Sequence, residues 1–274
     1  MKPLHISSFY FSIGILCVLV LGSCKPEPPT PAVPDPGIFE LNFLARVGGQ
    51  LFEKNTEFEN ILGQRFSMEV FRLYISDLRL VKEDGTDTLI AETLLMNFAE
   101  EEVRKTTHGE GLFQQFLVPS ANYKGIKFGI GVPTSRNNSD PTDFASDHPL
   151  HASQGMNWNW TVGYKFLQLD GRIDTSANGT GPLDQGIAYH TGTNELYRQL
   201  EFTDADHAFE VKAETELQFV IEMDLNRFFY NNSDTINMVQ RPISHTNPVG
   251  SEAFQLSEKI TDNMVNNALY KVPF

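Results

Sequence analysis

Four segments of the chain alternate apolar and polar residues, and this alternation restricts the fold more than any other feature. The segments are 39–47, 71–80, 126–132 and 217–225. A period of two places the apolar side chains on one face of a β-strand. The alternation changes phase at Ser76-Asp77, which predicts a β-bulge. Such strands, joined by long loops rich in Gly, Asn and Asp, predict a mainly β fold, an antiparallel β-sandwich.

Helical periodicity is convincing only near the end of the chain. The residues that fall on one helical face there are Ile260, Met264, Val265, Ala268 and Leu269. Ser257 or Thr261 is the expected cap. We therefore expect a short C-terminal helix beside the sandwich. Without an internal repeat or a second boundary, the sequence predicts one β domain over residues 38–274.

The beginning of the chain resembles a bacterial lipoprotein signal peptide. Residues 9–21 form a mostly apolar stretch of 13 residues, which is short for a membrane span but suits a signal peptide. Leu21-Gly22-Ser23-Cys24 resembles a lipobox, in which the chain is cleaved before a cysteine that is then acylated. We expect residues 1–23 to be the signal peptide. An ordinary signal peptide or a membrane anchor is the alternative.

This prediction leaves the mature domain without a thiol. Cys17 would leave with the signal peptide and Cys24 would carry the lipid. Thiolate catalysis, Fe–S clusters and cysteine zinc sites are then excluded. Residues 24–37 contain six prolines and predict a stiff tether between lipid and domain. We expect a lipoprotein of the bacterial cell envelope, anchored by its lipid in the outer membrane and facing the periplasm or the exterior.

The acidic composition argues against several functions. With 21 Lys and Arg against 35 Asp and Glu, the net charge is −14, so we expect no nucleic-acid binding. The motifs of nucleophile elbows, zinc proteases, P-loops and dinucleotide sites do not occur, and we expect no enzyme. Asp140, Asp143 and Asp147 offer oxygen ligands for calcium, but without EF-hand spacing a solvated acidic loop is favoured.

The segment 155–166 is the most unusual part of the sequence, because it contains both tryptophans of the chain. On a strand, Met156, Trp158 and Trp160 would point to one face. Large aromatic side chains and methionine also pack readily in a sandwich core. A structural role in the core is therefore the first interpretation of this pattern.

Histidines flank this segment and favour a second interpretation. His148 and His151 precede it, and His190 lies at the end of an apparent strand. Without cysteine, imidazole and the thioether of Met156 are the remaining soft or borderline ligands, and they suit copper better than calcium or magnesium. These four residues are the candidate metal ligands. A pair of surface histidines in a loop is the alternative for His148 and His151.

Several segments resemble the MbnP-like family, named for a periplasmic copper-binding protein encoded beside methanobactin genes. They are LNFLARVGGQ (41–50), FRLYISDLRL (71–80), IKFGIGVP (126–133), Met156-x-Trp158-x-Trp160-x-x-Gly163-Tyr164-Lys165-Phe166, His190-Thr191-Gly192-Thr193 and Thr261-Asp262-Asn263-Met264. The Met-Trp-Trp element is the most specific of them. The similarity covers about residues 39–272.

The resemblance implies a secreted, β-rich protein that binds copper. In characterised relatives, a partner di-haem enzyme related to MauG oxidises a tryptophan to kynurenine, and the modified residue is associated with the copper site. The resemblance therefore implies Trp158 or Trp160 as the modified residue and His190 as an imidazole ligand. Met156 would supply a thioether on the same side. The aromatic amine and ketone of kynurenine would add further donor atoms.

Some positions depart from the family pattern. Cysteine pairs of close relatives of the founding protein are absent from the mature domain, and an Asn-His pair reads Asn137-Asn138 here. His151 stands where asparagine is expected. A ligand at residue 138 is therefore lost or replaced by His148 or His151.

Two functions follow from these observations. The first is an extracytoplasmic lipoprotein that binds copper for acquisition, storage or delivery. The second is a non-catalytic surface binding or scaffold lipoprotein without a metal, in which the Met-Trp-Trp segment only builds the core. The position of His190 relative to the tryptophans distinguishes them.

Overall fold

Two β-sheets pack face to face in the computed structural model, which describes residues 35–99, 103–106, 109–159, 161 and 163–273. The chain divides into two units, Met1–Val33 and Pro34–Phe274, and the described residues belong to the second. The predicted signal peptide, Cys24 and nearly all of the tether lie outside the described residues, as does Trp160.

The described residues form fifteen strands. In chain order they are β1 (Pro36–Val47), β2 (Gln50–Leu51), β3 (Phe58–Glu59), β4 (Arg65–Lys82), β5 (Asp87–Asn97), β6 (Val103–Thr106), β7 (Gly109–Pro119), β8 (Ala121–Ile130), β9 (Lys165–Ile173), β10 (Gln185–Gly192), β11 (Arg198–Phe202), β12 (Phe209–Val211), β13 (Glu216–Asp224), β14 (Ile243–Ser244) and β15 (Leu269–Lys271).

The helical segments are short. The α-helices among the described residues are α1 (Thr134–Asn137) and α2 (Glu252–Asn263), and a π-helical turn, Met264–Ala268, follows α2. The 3₁₀ turns are Pro141–Asp143, Ala152–Gln154, Asn194–Leu196, Ala205–His207 and Leu225–Phe228. None of the helices in the described ranges has the length and apolar content needed to span a bilayer.

The strands form a six-stranded and a nine-stranded sheet, called the first and second sheet below. The first has the order β15-β13-β1-β7-β6, with β2 on β1. The second has the order β11-β8-β4-β9-β10-β14, with β3 and β5 on β4 and β12 on β8. Most pairs are antiparallel, whereas β1 with β13 and β10 with β14 are parallel. The predicted β-sandwich is therefore confirmed.

The alternating segments form β1, β4, β8 and β13, and their apolar faces build the core between the sheets. Core members from these strands include Phe39, Leu41, Phe43, Phe71, Leu73, Leu80, Ile126, Phe128, Phe219, Ile221 and Met223. The predicted bulge is also confirmed. The register of β4 against β8 shifts between Ser76 and Arg79, and Asp77 has a φ of 50°.

A smaller apolar cluster lies on the outer face of the second sheet. Its members are Tyr74, Val132, Leu150, Met156, Tyr164, Phe166, Leu196 and Phe254. Tyr74 follows the core residue Leu73 on β4, and Phe166 precedes the core residue Leu167 on β9. Because side chains alternate along a strand, Tyr74 and Phe166 point away from the core. The long connection between β8 and β9 covers this face and supplies Val132, Leu150, Met156 and Tyr164. This outer cluster supports the candidate site.

The C-terminal helix is present, but its predicted cap and end were wrong. The helix α2 begins after Ser251, whose Oγ accepts a hydrogen bond from the Phe254 N–H at 3.1 Å. Thr261 lies inside the helix and donates to the carbonyl of Ser257 at 2.9 Å. Leu269 is in β15, where it pairs with β13. Helical spacing does not reveal this pairing with a distant strand.

Replacement of the observed cap, Ser251→Ala, is predicted to lower the free energy of unfolding by about 1 kcal/mol, because the N-terminus of α2 loses its side-chain acceptor. Chemical denaturation followed by circular dichroism measures this change. The control is Ser233→Ala, at an exposed position in a turn, which should stay within about 0.5 kcal/mol of the wild type. Equal stability of the two variants would contradict the assignment of the cap.

Candidate metal centre

Strand β10 carries His190 on the outer face of the second sheet. Ile187 and Tyr189 point into the core, so alternation turns His190 outward, where its side chain is 21% exposed. The hydroxyl of Ser257 on α2 donates to the carbonyl of His190 at 3.2 Å. The helix and the sheet therefore hold the backbone at this position together.

Asp170 on β9 orients the ring of His190. The distance from His190 Nε2 to Asp170 Oδ1 is 2.7 Å. Burial raises the pKa of Asp170, but hydrogen bonds from His190 and Gln168 and the charges of His190 and Lys165 lower it more, so the pKa lies below its ordinary value. The ionised carboxylate only accepts hydrogen bonds, so Nε2 carries a proton and a neutral ring keeps its lone pair on Nδ1. Metal-binding histidines usually have such a carboxylate partner.

The indole of Trp158 lies near two imidazoles. Its ring centroid is 6.3 Å from that of His190 and 5.8 Å from that of His245. Trp158 is only 7% exposed. The ammonium of Lys165 lies 5.9 Å from the indole centroid. These side chains line an open cavity of about 410 Å³, together with Gly155, Asn157 and Asn159. The cavity therefore combines two imidazoles, an indole and an ammonium group.

Gly192 allows the indole to approach the end of β10. A Cβ at this position would lie 2.3 Å from the carbonyl oxygen of Tyr164 and 3.1 Å from Cζ2 of Trp158. Any larger residue would push the Trp158 segment away from the sheet. The next residue, Thr193, has a φ of 91°, which is strained for a β-branched side chain. The backbone after His190 is thus shaped around Trp158.

The Trp158 segment is a tight hairpin rather than the predicted strand. Asn157 and Tyr164 form an isolated antiparallel bridge, and the Trp158 N–H donates to the carbonyl of Gly163 at 2.9 Å. Gly163 has a φ of 112°, a conformation that favours glycine. The chain therefore turns back within a few residues of Trp158.

Met156 and Trp158 lie on the same arm of this hairpin, before the turn, but in different surroundings. Met156 is fully buried in the outer apolar cluster, whereas Trp158 lines the cavity. In that cluster, the thioether is surrounded by apolar side chains such as Leu150 and Phe166. Met156 contributes packing beneath the hairpin in this conformation.

Asn137 anchors the hairpin from the other side. Its Oδ1 accepts a hydrogen bond from the Tyr164 N–H at 3.0 Å, and its Nδ2 donates to Asn194 Oδ1 at 2.9 Å. Asn137 is only 3% exposed. Its neighbour Asn138 is exposed and lines a second cavity, of about 430 Å³, which also includes Trp158. The residue at the altered family position therefore lines a different cavity from His190, and Trp158 borders both.

The structure does not bring His148 and His151 into the cavity beside Trp158. The Nδ1 of His148 accepts a hydrogen bond from the Leu150 N–H at 3.0 Å, and that of His151 accepts one from the Ser153 N–H at 3.1 Å. In a neutral ring, Nε2 then carries the proton. Neither imidazole presents a lone pair to a metal unless its loop contact breaks.

No sequence pattern singled out His245, although it lines the cavity. It directly follows β14, whose parallel pairing with β10 places Ser244 opposite Tyr189. Its Nδ1 accepts a hydrogen bond from the Asn247 N–H at 3.3 Å, a long contact for this type of bond. A two-residue strand has no periodicity, and its partner is distant in sequence. The three-dimensional contact alone reveals this residue.

The acidic loop forms local hydrogen bonds. Asp140 Oδ1 accepts from both the N–H and the hydroxyl of Thr142, and these bonds hold the pKa of Asp140 below its ordinary value. Within the described ranges, no three His, Cys, Asp or Glu side chains come together as a metal-binding group. A metal beside Trp158 would therefore need donors in addition to the two imidazoles.

Asn137→Ala is predicted to lower the free energy of unfolding by about 2 kcal/mol, because the buried N–H of Tyr164 loses its acceptor. Thermal and chemical denaturation measure stability, and tryptophan fluorescence reports on the hairpin. The matched control is Asn138→Ala, at the exposed neighbouring position. The account of the hairpin fails if both variants are equally stable and have the same emission spectrum.

The chain is similar to known proteins of one family. A family model, MbnP, matches residues 36–247, which is more than half of the chain. A solved structure, MbnP from Methylosinus trichosporium, is 15% identical with a TM-score of 0.47, over 73% of this chain and 80% of that chain. No protein with a curated function matches. On the match to the family model, this chain belongs to the MbnP family.

Proposed function

We propose that this protein is a non-catalytic, extracytoplasmic protein that binds copper beside Trp158, for acquisition, storage or delivery of the metal. One observation carries the proposal: His190 and His245 approach the same indole, with ring centroids at 6.3 and 5.8 Å. The Nδ1 of His190 distinguishes this cavity from the loop that holds His148 and His151, because it keeps its lone pair in a neutral ring whereas their Nδ1 atoms accept backbone hydrogen bonds. Membership of the MbnP family supports copper as the metal.

The donors at this cavity fit copper. The described residues contain no cysteine, so imidazole nitrogen is the principal borderline donor available, and imidazole suits copper. His190 would bind through Nδ1, because Nε2 donates to Asp170. His245 would bind through Nδ1, or through Nε2 after a change of tautomer, and either mode requires the long contact from the Asn247 N–H to break. Copper bound in this way could be taken up and released again, as acquisition, storage or delivery requires.

Trp158 is our candidate for oxidation to kynurenine, because both imidazoles lie near its indole. Oxidation cleaves the C2–C3 bond of the indole and adds two oxygens, hydrolysis then releases one carbon as formate, and an aromatic amine and a ketone remain as potential donors. These donors would address the shortage of ligands at the cavity. The oxidant would be supplied by a partner, which the family resemblance suggests is a di-haem enzyme. Trp160, the other candidate, lies outside the described residues.

We also propose that the protein is a lipoprotein anchored through Cys24. The sequence Leu21-Gly22-Ser23-Cys24 supports this proposal, as does the proline-rich segment that follows it. An outer-membrane anchor would hold the domain in the cell envelope and restrict it to metal available there.

A metal-free scaffold lipoprotein is the second candidate function. The observation in its favour is that no three His, Cys, Asp or Glu side chains converge in the described ranges. In that case, Trp158 and the imidazoles around it would serve only to pack the hairpin against the sheet.

Copper binding is predicted to depend on His190 and His245 but not on His151. Wild-type protein from its native host should bind about one Cu(I) per chain, and loss of either imidazole should weaken binding at least about tenfold. Competition titration with a Cu(I) chelator measures these affinities. His151→Ala is the matched control and should bind as the wild type does.

The outcomes of this titration separate the two functions. Substoichiometric binding by the native wild-type protein, unchanged in His190→Ala, would favour the scaffold. Equal weakening in His151→Ala and His190→Ala would contradict the assignment of the cavity beside Trp158.

Kynurenine formation is predicted at Trp158 in protein from copper-replete native cells. A peptide that contains this residue should be heavier by about 4 Da, the difference from loss of one carbon and gain of one oxygen. Tandem mass spectrometry locates the change at Trp158 or Trp160. An unmodified peptide from such cells would rule the modification out.

A further inference from the structure

A row of polar side chains crosses the outer face of the second sheet and ends at His190. Arg72 of β4 lies opposite Gln168 of β9, and Gln168 lies opposite His190 of β10. Asp170 is two residues beyond Gln168 and therefore points to the same face. Strand register alone thus makes Gln168, Asp170 and His190 neighbours.

The carboxylate of Asp170 divides its oxygens between the other two side chains. Oδ1 lies 2.7 Å from His190 Nε2, and Oδ2 accepts a hydrogen bond from Gln168 Nε2 at 2.6 Å. The Asp170 side chain is 28% exposed, so water reaches part of it. With Gln168 removed, a water-accessible carboxylate would have one contact fewer to fix its rotation.

Gln168 keeps this orientation at a cost. Its Oε1 is buried and has no hydrogen-bond partner among the described residues. A buried amide oxygen without a partner is unfavourable, so the bond to Asp170 must outweigh it. Reversing the amide would place this oxygen against the carboxylate. Asp170 therefore selects the orientation of Gln168, and Gln168 in turn holds Asp170.

The consequence concerns which nitrogen of His190 is protonated. In His148, His151 and His245, a backbone N–H donates to Nδ1 and occupies its lone pair. In His190, the carboxylate on Nε2 leaves Nδ1 as the nitrogen with the lone pair in a neutral ring. His190 is therefore set up differently from these three histidines.

We propose that Gln168 is a positioning residue: it holds Asp170 so that His190 keeps its proton on Nε2 and an unprotonated Nδ1 for a ligand. The use of that nitrogen by copper rests on the proposed function. The effect of Gln168 on the tautomer does not, because it is a property of the metal-free protein. Through Gln168, the strand register of the second sheet thus affects the tautomer of His190.

The test is the tautomer ratio of His190 in the metal-free full chain, measured by NMR with ¹⁵N-labelled histidine at about pH 8, where an ordinary histidine is neutral. Loss of a signal in His190→Ala assigns the ring. The wild type should strongly favour the Nε2–H form. Gln168→Met should lower the ratio of the Nε2–H form to the Nδ1–H form of His190 by roughly three- to tenfold, the effect of about one hydrogen bond.

Gln185→Met is the matched control. Gln185 is a half-buried residue of β10 itself, and its amide donates to the carbonyl of Val239 at 3.3 Å. It should leave the ratio unchanged. A wild-type ratio in Gln168→Met would overturn the inference, and so would an equal change in both variants, which would indicate general disturbance of the sheet.

Copper titration of the same variants separates the inference from the proposed function. If the wild type binds copper, the affinity of Gln168→Met should fall only as the populated fraction of the Nε2–H form falls, which is a small change while that form remains the major one. If the wild type does not bind copper, the proposed function fails, and the tautomer ratio still decides the role of Gln168.

Discussion

The antiparallel pairing of β9 with β10 is the constraint on which the candidate centre depends. It places Leu169 and Tyr189 in the core as a pair and Gln168 opposite His190 on the outer face. A slip of one residue would turn His190 into the core and expose core side chains. The burial of the core therefore determines the geometry of the polar groups on the other face, and Asp170 reaches His190 because of it.

The second constraint is the packing of the β8–β9 connection against this face. Tyr74 and Tyr164 donate hydrogen bonds to the carbonyls of Pro149 and Leu150, at 2.7 and 3.1 Å. Burial and nearby carboxylates raise the pKa of Tyr164 to about 12, so its hydroxyl stays protonated and can donate well above neutral pH. These contacts and Asn137 fix a framework under the hairpin. Trp158 is therefore held over β10 by packing and hydrogen bonds made elsewhere in the connection.

Alternation predicted the sandwich and its main strands well, because apolar and polar residues alternate wherever one face of a strand is buried and the other is exposed. The same periodicity did not predict that the chain turns back after Trp158. There, Gly163 and the distant Asn137 turn the chain into a hairpin, and neither contact has a local pattern. Leu269 was misassigned for a similar reason, since its pairing with β13 replaced a helical turn.

The candidate site was only partly predictable. His190 followed from its place at the end of a strand and from the family resemblance, and the structure brings it to Trp158. His148 and His151 were selected by their closeness in sequence, which does not show that backbone N–H groups occupy their Nδ1 atoms. His245 depends on a short parallel pairing between distant segments.

The central claim is that copper binds between His190 and His245 beside residue 158. Anomalous diffraction at the copper edge, from crystals of copper-loaded protein purified from its native host, tests it most directly. We predict one strong peak within bonding distance of both imidazoles and next to the side chain of residue 158. A peak at His148 or His151, or no peak despite full copper loading of the sample, would contradict the account.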